Sequence, residues 1–538
     1  MDSLYLHSYL DDVEKSYADI EQRNVVKRLW QKDYSLWRQD PAEIGESLGW
    51  LTVTDAMRGQ IPSLRSFAGE INEVGFRDVV LLGMGGSSLG ALVMGKTFGA
   101  AGGYPRLTVL DSTVPAWVKS VTDGIDPGQT LFLVSSKSGT TIEMVNLFAH
   151  FKNQVRAATG KANTGQSFVA ITDPGTPLVG LAKTEGFRRI FINPPDIVGR
   201  YSVLSYFGLV PAALSGVDIT TLLERADRMR EKCAPGIAVR ENPAVMLGAF
   251  MGTMARLGRD KLTLITSPAL SSFGIWAEQL LAESTGKEGK GIIPVAGEPS
   301  VPPDYYGSDR LFVYLRLEGD DNAATDAAVT GIKSAGHPVA ILELADHYDL
   351  GGEFFRWEFA TAIAGVILAI NPFNQPNVEM AKKATDRVLH ECMDSGQPPR
   401  MVTTGAISAL LSRAGKGNYL AIMAYLLETP ETDGVFADFR RRIIQEHRIA
   451  TTLGYGPRFL HSTGQIHKGG PNTGLFLQIT SEHEDDLPAP GKPYTFGVLA
   501  DAEALGDFEA LQTAGRRAIR IHLTKGEPVA KQLRAKLA

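Results

Sequence analysis

The stretch "VSSKSGTTIE" (134–143) follows the apolar run "TLFLV" and sets six hydroxyl or lysine side chains in ten positions. Hydroxyls on Ser136, Ser138, Thr140 and Thr141, a glycine at 139 that lets the backbone close in, and the amides of a helix starting near Thr140 would surround a compact dianion such as a phosphate monoester. An ordinary helix cap uses the same residue types. A second junction of this kind weighs toward the anion-binding reading. In "LLGMGGSSLGALVMG" (81–95), Gly83, Gly85 and Gly86 permit a tight turn, and Ser87 and Ser88 fall at a helix N-terminus. Ser88 stands where a GxGxxG fingerprint needs its last glycine, which argues against a dinucleotide. Two glycine/serine junctions at the carboxyl ends of neighbouring strands lie where open α/β sheets bind ligands. Lys137 reads either as a further phosphate ligand or as a solvated side chain.

Four later segments carry groups suited to moving protons and steadying charge. In "WAEQLLAESTGKEGKG" (276–291), Gln279 and Glu283 stand four apart and share a helix face. Glu283 lies in the last turn, where the helix dipole disfavours a carboxylate and raises its pKa, as suits a base for C–H proton transfer. Taken alone, the pair also fits a solvated face. Arg200, in "DIVGRYSVLSYFGLVPAAL" (196–214), reads as a fixed cation for a developing oxyanion or as a surface ion-pair partner. "NPFNQPNVEMAKKATDRVL" (371–389) places Gln375 in a proline-bounded turn and Lys382 on the helix after it. "RFLHSTGQIHKGGPNTGLFLQIT" (458–480) sets His461, Gln465, His467 and Lys468 beside flexible glycines. Its two histidines lack a third ligand at metal spacing, so the segment is expected to serve proton transfer or substrate contact and to hold no metal.

The elements that must carry these groups follow from hydrophobic patterning. "DVVLLGMG", "RLTVLD", "TLFLVSS", "SFVAIT" and "RRIFIN" are short apolar runs separated by helical stretches, the pattern of strands buried on both faces of a parallel, doubly wound sheet. The rhythm resumes at "KLTLIT" (261–266), "LFVYLRL" (311–317) and "VAILEL" (339–344), with helical patterns at 273–285 and 353–370. About 140 further residues mix helix with the strands "GLFLQIT" and "AIRIHL" and are expected to complete the second domain. Residues 1–60 read as a helical extension anchored by Trp30, Trp37 and Trp50. The expected division is therefore 1–60, 61–216 and 217–538.

Of 538 residues, 44% are hydrophobic, and the formal charge of −6 is spread without the basic stripe that a nucleic-acid binder needs. Cys233 and Cys392 form neither a disulfide framework nor a zinc spacing, which fits a reducing compartment. The N-terminus "MDSLYLHSYLDDVEK" has acids where a signal peptide needs bases, and the longest apolar run, "FATAIAGVILAI" (359–370), falls short of the roughly 20 residues of a membrane span. A cytoplasmic protein without a membrane partner is expected.

Together "GMGGSSLG", "SSKSGTTIE", "VGRYSVLS", "QLLAESTGK" and "NPFNQPNVEMAKK", in this order, resemble the phosphoglucose isomerases, and "HSTGQIHKGGPNTG" (461–474) is similar to the isomerase portion of bacterial transaldolase/phosphoglucose isomerase fusions. The resemblance implies two sugar-isomerase (SIS) type α/β domains and reversible interconversion of glucose 6-phosphate and fructose 6-phosphate without a cofactor. It further implies a homodimer and an association with a transaldolase. By the same resemblance Gly86, Ser87, Ser136, Lys137, Ser138 and Thr141 hold the phosphate, Gln279 and Gln375 contact substrate, Arg200 stabilises an enediolate, Glu283 shuttles the proton between C1 and C2, and Lys382 acts around the ring oxygen. One departure stands out. The family's histidine after "GEP", which helps open the sugar ring, is missing, as no histidine occurs between residues 260 and 336. His467 is expected to take its place, with His461 or Lys382 alone as alternatives. A non-catalytic sugar-phosphate sensor, a nicotinamide enzyme and added activity on mannose 6-phosphate are the other readings.

Overall fold

In the computed structural model, which describes residues 2–42 and 44–538, fourteen named strands form three sheets. The first has the order β3-β2-β4-β5-β6, with β2 (Asp78–Leu82), β3 (Arg106–Leu110), β4 (Thr130–Ser135), β5 (Phe168–Thr172) and β6 (Arg189–Ile192), all parallel. Every residue of β4 and β5 is buried, as continuous apolar runs covered on both faces require. The chain starts at β2 and adds strands to both sides of it, so the strand order reverses between β2 and β4. The loops leaving those two strands are "GMGGSS" and "SSKSGTT".

The second sheet, β1-β10-β9-β7-β8, contains β7 (Lys261–Thr266), β8 (Ile293–Val295), β9 (Arg310–Leu317) and β10 (Val339–Leu344) in parallel. Its edge strand β1 (Ser3–Tyr5) is antiparallel to β10, so the N-terminal extension contributes a strand as well as helices. Trp30 and Trp37 tie the extension down by donating to the carbonyls of Cys233 and Ala362. Trp50 packs on Tyr201, Phe355 and Phe359. Both phenylalanines belong to the helix Leu350–Leu368, in which every residue except Ile367 is buried. No helix among the described residues is long and apolar enough to cross a membrane.

The last region builds a third sheet, β12-β11-β13-β14, from β11 (Tyr419–Tyr425), β12 (Ala450–Tyr455), β13 (Gly474–Ser481) and β14 (Arg517–Leu523), parallel throughout. These strands pair with one another, and the region adds a sheet instead of widening the second one. The architecture is SIS-type α/β with mainly parallel sheets. We propose domain boundaries near residues 60 and 216, with the third sheet as a C-terminal unit inside the remainder.

Candidate active site

The two loops at the strand-order reversal face segments that arrive from the rest of the chain. Gly85 has a positive φ of 55°, and a Cβ there would stand 2.8 Å from both Gln279 Nε2 and the His461 carbonyl. At Gly86 a Cβ would meet the Gly199 carbonyl at 2.0 Å. Glycine at these positions lets the loop touch the arginine segment and the helix Phe273–Thr285 at once. Ser135 Oγ donates to the Ser87 carbonyl at 2.8 Å, joining the two loops.

In the second loop Ser136 and Thr141 share a hydroxyl hydrogen bond of 2.8 Å, and Gly139, with φ of 69°, donates its N–H to Ser136 Oγ at 3.0 Å. Ser138, Thr140 and Thr141 line a cavity of about 240 Å³ together with Lys382, His461 and Glu503. Lys137 turns away: its ammonium pairs with Asp173 and donates to the Pro195 carbonyl at 3.3 Å. The two loops thus form one pair, with the Lys137 side chain engaged elsewhere.

Arg200 is 2% exposed and wholly committed. Its Nε donates to Ser284 Oγ at 2.8 Å, Nη1 to Glu283 Oε2 at 3.1 Å and to Gln375 Oε1 at 2.9 Å, and Nη2 to the Pro372 and Asn374 carbonyls. Gln279 Nε2 donates to the His461 carbonyl at 2.9 Å and lies 3.5 Å from Glu283 Oε1, while its own Oε1 is buried without a partner among the described residues. The helix therefore turns its Gln279/Glu283 face inward, which rules out the solvated-face reading. Burial pushes the Glu283 carboxyl above its ordinary value of 4.5, against the pull of Arg200 and the Gln279 amide. The result is a carboxylate beside a fixed cation in a dry site.

The two histidines separate. His461 Nε2 meets Glu143 Oε1 at 2.6 Å. Burial works against charge on His461, but the Glu143 carboxylate outweighs it and holds the imidazole above its ordinary value of 6.5. Glu143 is held low in turn, because burial, which would raise it, is overcome by His461 and Lys382. His467 instead packs edge-on against Phe476, with ring centroids 5.1 Å apart, and lines a different cleft of about 400 Å³ with Glu278 and Arg440. Burial first, then Lys468 and Arg516, hold His467 well below its ordinary value, and its Nδ1 has no partner among the described residues. His467, expected to reach the site, does not line the cavity with Ser138 and Thr141: Phe459 and Phe476 hold its ring, whereas His461, from the same connection between β12 and β13, lines that cavity. Lys382 lines the site cavity and pairs at 3.1 Å with Glu379.

Sequence reasoning did not single out Glu143, Ser284 or Glu503. Glu143 ends the quoted "SSKSGTTIE" in the first turn of the helix Ile142–Thr159, and a carboxylate so placed after a phosphate loop was the available signal. Ser284 and Glu503 carried none, since each depends on a contact distant in sequence.

A family model described as phosphoglucose isomerase matches residues 51–292. A glucose-6-phosphate isomerase from Rubrobacter xylanophilus is 30% identical over 368 residues, covering 59% of this chain and 84% of the relative. One from Symbiobacterium thermophilum is 30% identical over 384 residues, covering 62% and 85%. Among solved structures, a hypothetical protein from Thermus thermophilus matches with a TM-score of 0.61 at 25% identity, over 72% of this chain and 99% of that one. A glucose-6-phosphate isomerase from Chlamydia trachomatis has a TM-score of 0.59 at 19% identity, over 71% and 86%, and shares the fold.

Proposed function

This chain belongs to the phosphoglucose isomerase family, and from that premise we propose that it interconverts glucose 6-phosphate and fructose 6-phosphate through a cis-enediolate. The observation that carries the reading is Glu283, a buried carboxylate 3.1 Å from the fully committed guanidinium of Arg200 and one loop away from a phosphate cradle. The hydroxyls of Ser136, Ser138 and Thr141, with the backbone at Gly86 and Ser87, bind the substrate's phosphate and fix the open chain against the helix Phe273–Thr285. Glu283 takes the C2 proton and returns it at C1. Arg200 meets the negative charge that develops on the enediolate oxygens, at no cost of reorganisation because five hydrogen bonds already hold it. Gln279, whose Oε1 has no partner among the described residues, and Gln375 contact the sugar's hydroxyls.

Ring opening needs a proton delivered to the ring oxygen as the C1–O5 bond breaks and one removed from the C1 hydroxyl. We assign both transfers to His461, held by Glu143 with Lys382 beside it: the imidazolium protonates the ring oxygen, and the ring left neutral takes the C1 hydroxyl proton. What supports His461 over His467 is its place in the wall of the cavity that Ser138 and Thr141 also line. A homodimer and a transaldolase partner, which rest on resemblance, and a cytoplasmic location, which rests on the cysteines, the acidic N-terminus and the short apolar runs, belong to the same proposal. A coupled assay with both hexose phosphates tests the function. Reversible turnover is expected, and binding without turnover would leave a sensor instead.

A further inference from the structure

The C-terminal unit contributes a second group to the cavity besides His461. Glu503, on the helix Phe496–Thr513, is 2% exposed. Its Oε2 accepts from Thr113 Oγ1 at 2.6 Å, whereas its Oε1 is buried without any hydrogen-bond partner among the described residues. The nearby cations are engaged elsewhere: Lys468 pairs with Asp507, one helical turn further along, and Lys382 pairs with Glu379. Burial, then the neighbouring Glu143 carboxylate, hold Glu503 well above the ordinary carboxylate range, which favours its protonated form. Since Thr113 donates to Oε2, the proton belongs on Oε1. A buried O–H with nothing to receive it costs free energy unless a ligand completes it.

A sugar phosphate held at Ser138 and Thr141 extends its hydroxyls along the remaining walls, where Lys382, His461 and Glu503 stand. We propose that Glu503 is a substrate-contacting residue that donates its O–H to a sugar hydroxyl, so that the C-terminal unit takes part in recognising the hexose. The proposal rests on the sugar-phosphate reading of the cavity. It makes Glu503 a determinant of specificity for polyhydroxylated over simple phosphates.

The test compares Glu503→Leu, Glu503→Ala and Glu503→Gln with the unaltered enzyme, reading KM for fructose 6-phosphate, inhibition by inorganic phosphate and melting temperature. Removing the donor is expected to raise KM about tenfold or more in the Leu and Ala variants, with phosphate inhibition unchanged. Glutamine, neutral and still a donor, keeps KM within about threefold. An unchanged KM in whichever truncated variant folds would overturn the proposal. So would an equal loss of phosphate affinity, which marks a structural role, or a Gln variant as impaired as the Leu one. If the unaltered protein fails to interconvert the hexose phosphates, the isomerase reading falls by itself. The same variants then decide on Glu503 through calorimetric binding of fructose 6-phosphate against inorganic phosphate.

Discussion

Arg200 shows how one side chain organises the proposed reacting end of the site. Its three nitrogens reach Ser284, Glu283, Gln375 and two backbone carbonyls, and a lysine cannot reproduce that planar fork. Arg200→Lys is therefore expected to lower kcat by about 10²–10³ while inorganic phosphate still inhibits with its normal affinity, as steady-state kinetics would show. The titrations at the two ends of the site predict a bell-shaped kcat against pH. Glu283 must be ionised to act as base, and its raised pKa places the acid limb above 4.5, with activity falling as pH drops through it. His461 must be protonated to give its proton to the ring oxygen, so its raised pKa places the alkaline limb above 6.5, with activity falling as pH rises. Glu143→Gln removes the carboxylate that holds the imidazolium and should move the alkaline limb down. Residue types alone offered a catalytic role for Glu283 and Arg200 but, segment by segment, favoured a solvated or surface role for each. The alternatives closed once burial and partners were known, which no spacing rule contains.

The element that matters most is the helix Phe273–Thr285, because its two faces serve different ends. Gln279 and Glu283 point at the substrate loops, whereas Glu278 faces the cleft against the third sheet, where burial pushes its carboxyl up to about 8. The opposing surface is the "GMGGSS" turn, and its fit is set by absent side chains. Gly86→Ala brings a Cβ against the Gly199 carbonyl, so the arginine segment must move. We expect a melting temperature lower by several degrees and a KM for fructose 6-phosphate raised at least tenfold, with Ser87→Ala, which leaves the backbone alone, affecting KM less. Most strands were legible, since runs such as "TLFLV" and "SFVAIT" are apolar throughout and bounded by turn residues. Three-residue β1 and β8 were not, being too short to show a period.

At the scale of the whole molecule, the third sheet is what sequence patterning understated. Its strands were partly visible, but their pairing with one another depends on long-range contacts that local runs do not encode. Its union with the rest rests on buried polar ties, Arg458 to Asp111 beyond β3 and Gln465 to the Gly286 carbonyl, while inside the unit Lys468 pairs with Asp507 at 1% and 0% exposure. Lys468→Met strands the Asp507 charge and is expected to cost about 3–5 kcal/mol in denaturant unfolding, with the double variant Lys468→Met/Asp507→Leu recovering most of it. Through this unit the site gains His461 and Glu503 from within the same chain. The central claim remains the proton transfer at Glu283, and solvent exchange observed by NMR tests it most directly. In D₂O the enzyme should place deuterium at C2 of glucose 6-phosphate and C1 of fructose 6-phosphate as it interconverts them. Glu283→Gln should slow exchange and interconversion together by about 10³ or more, with phosphate inhibition intact. Exchange at an undiminished rate in that variant would contradict the account.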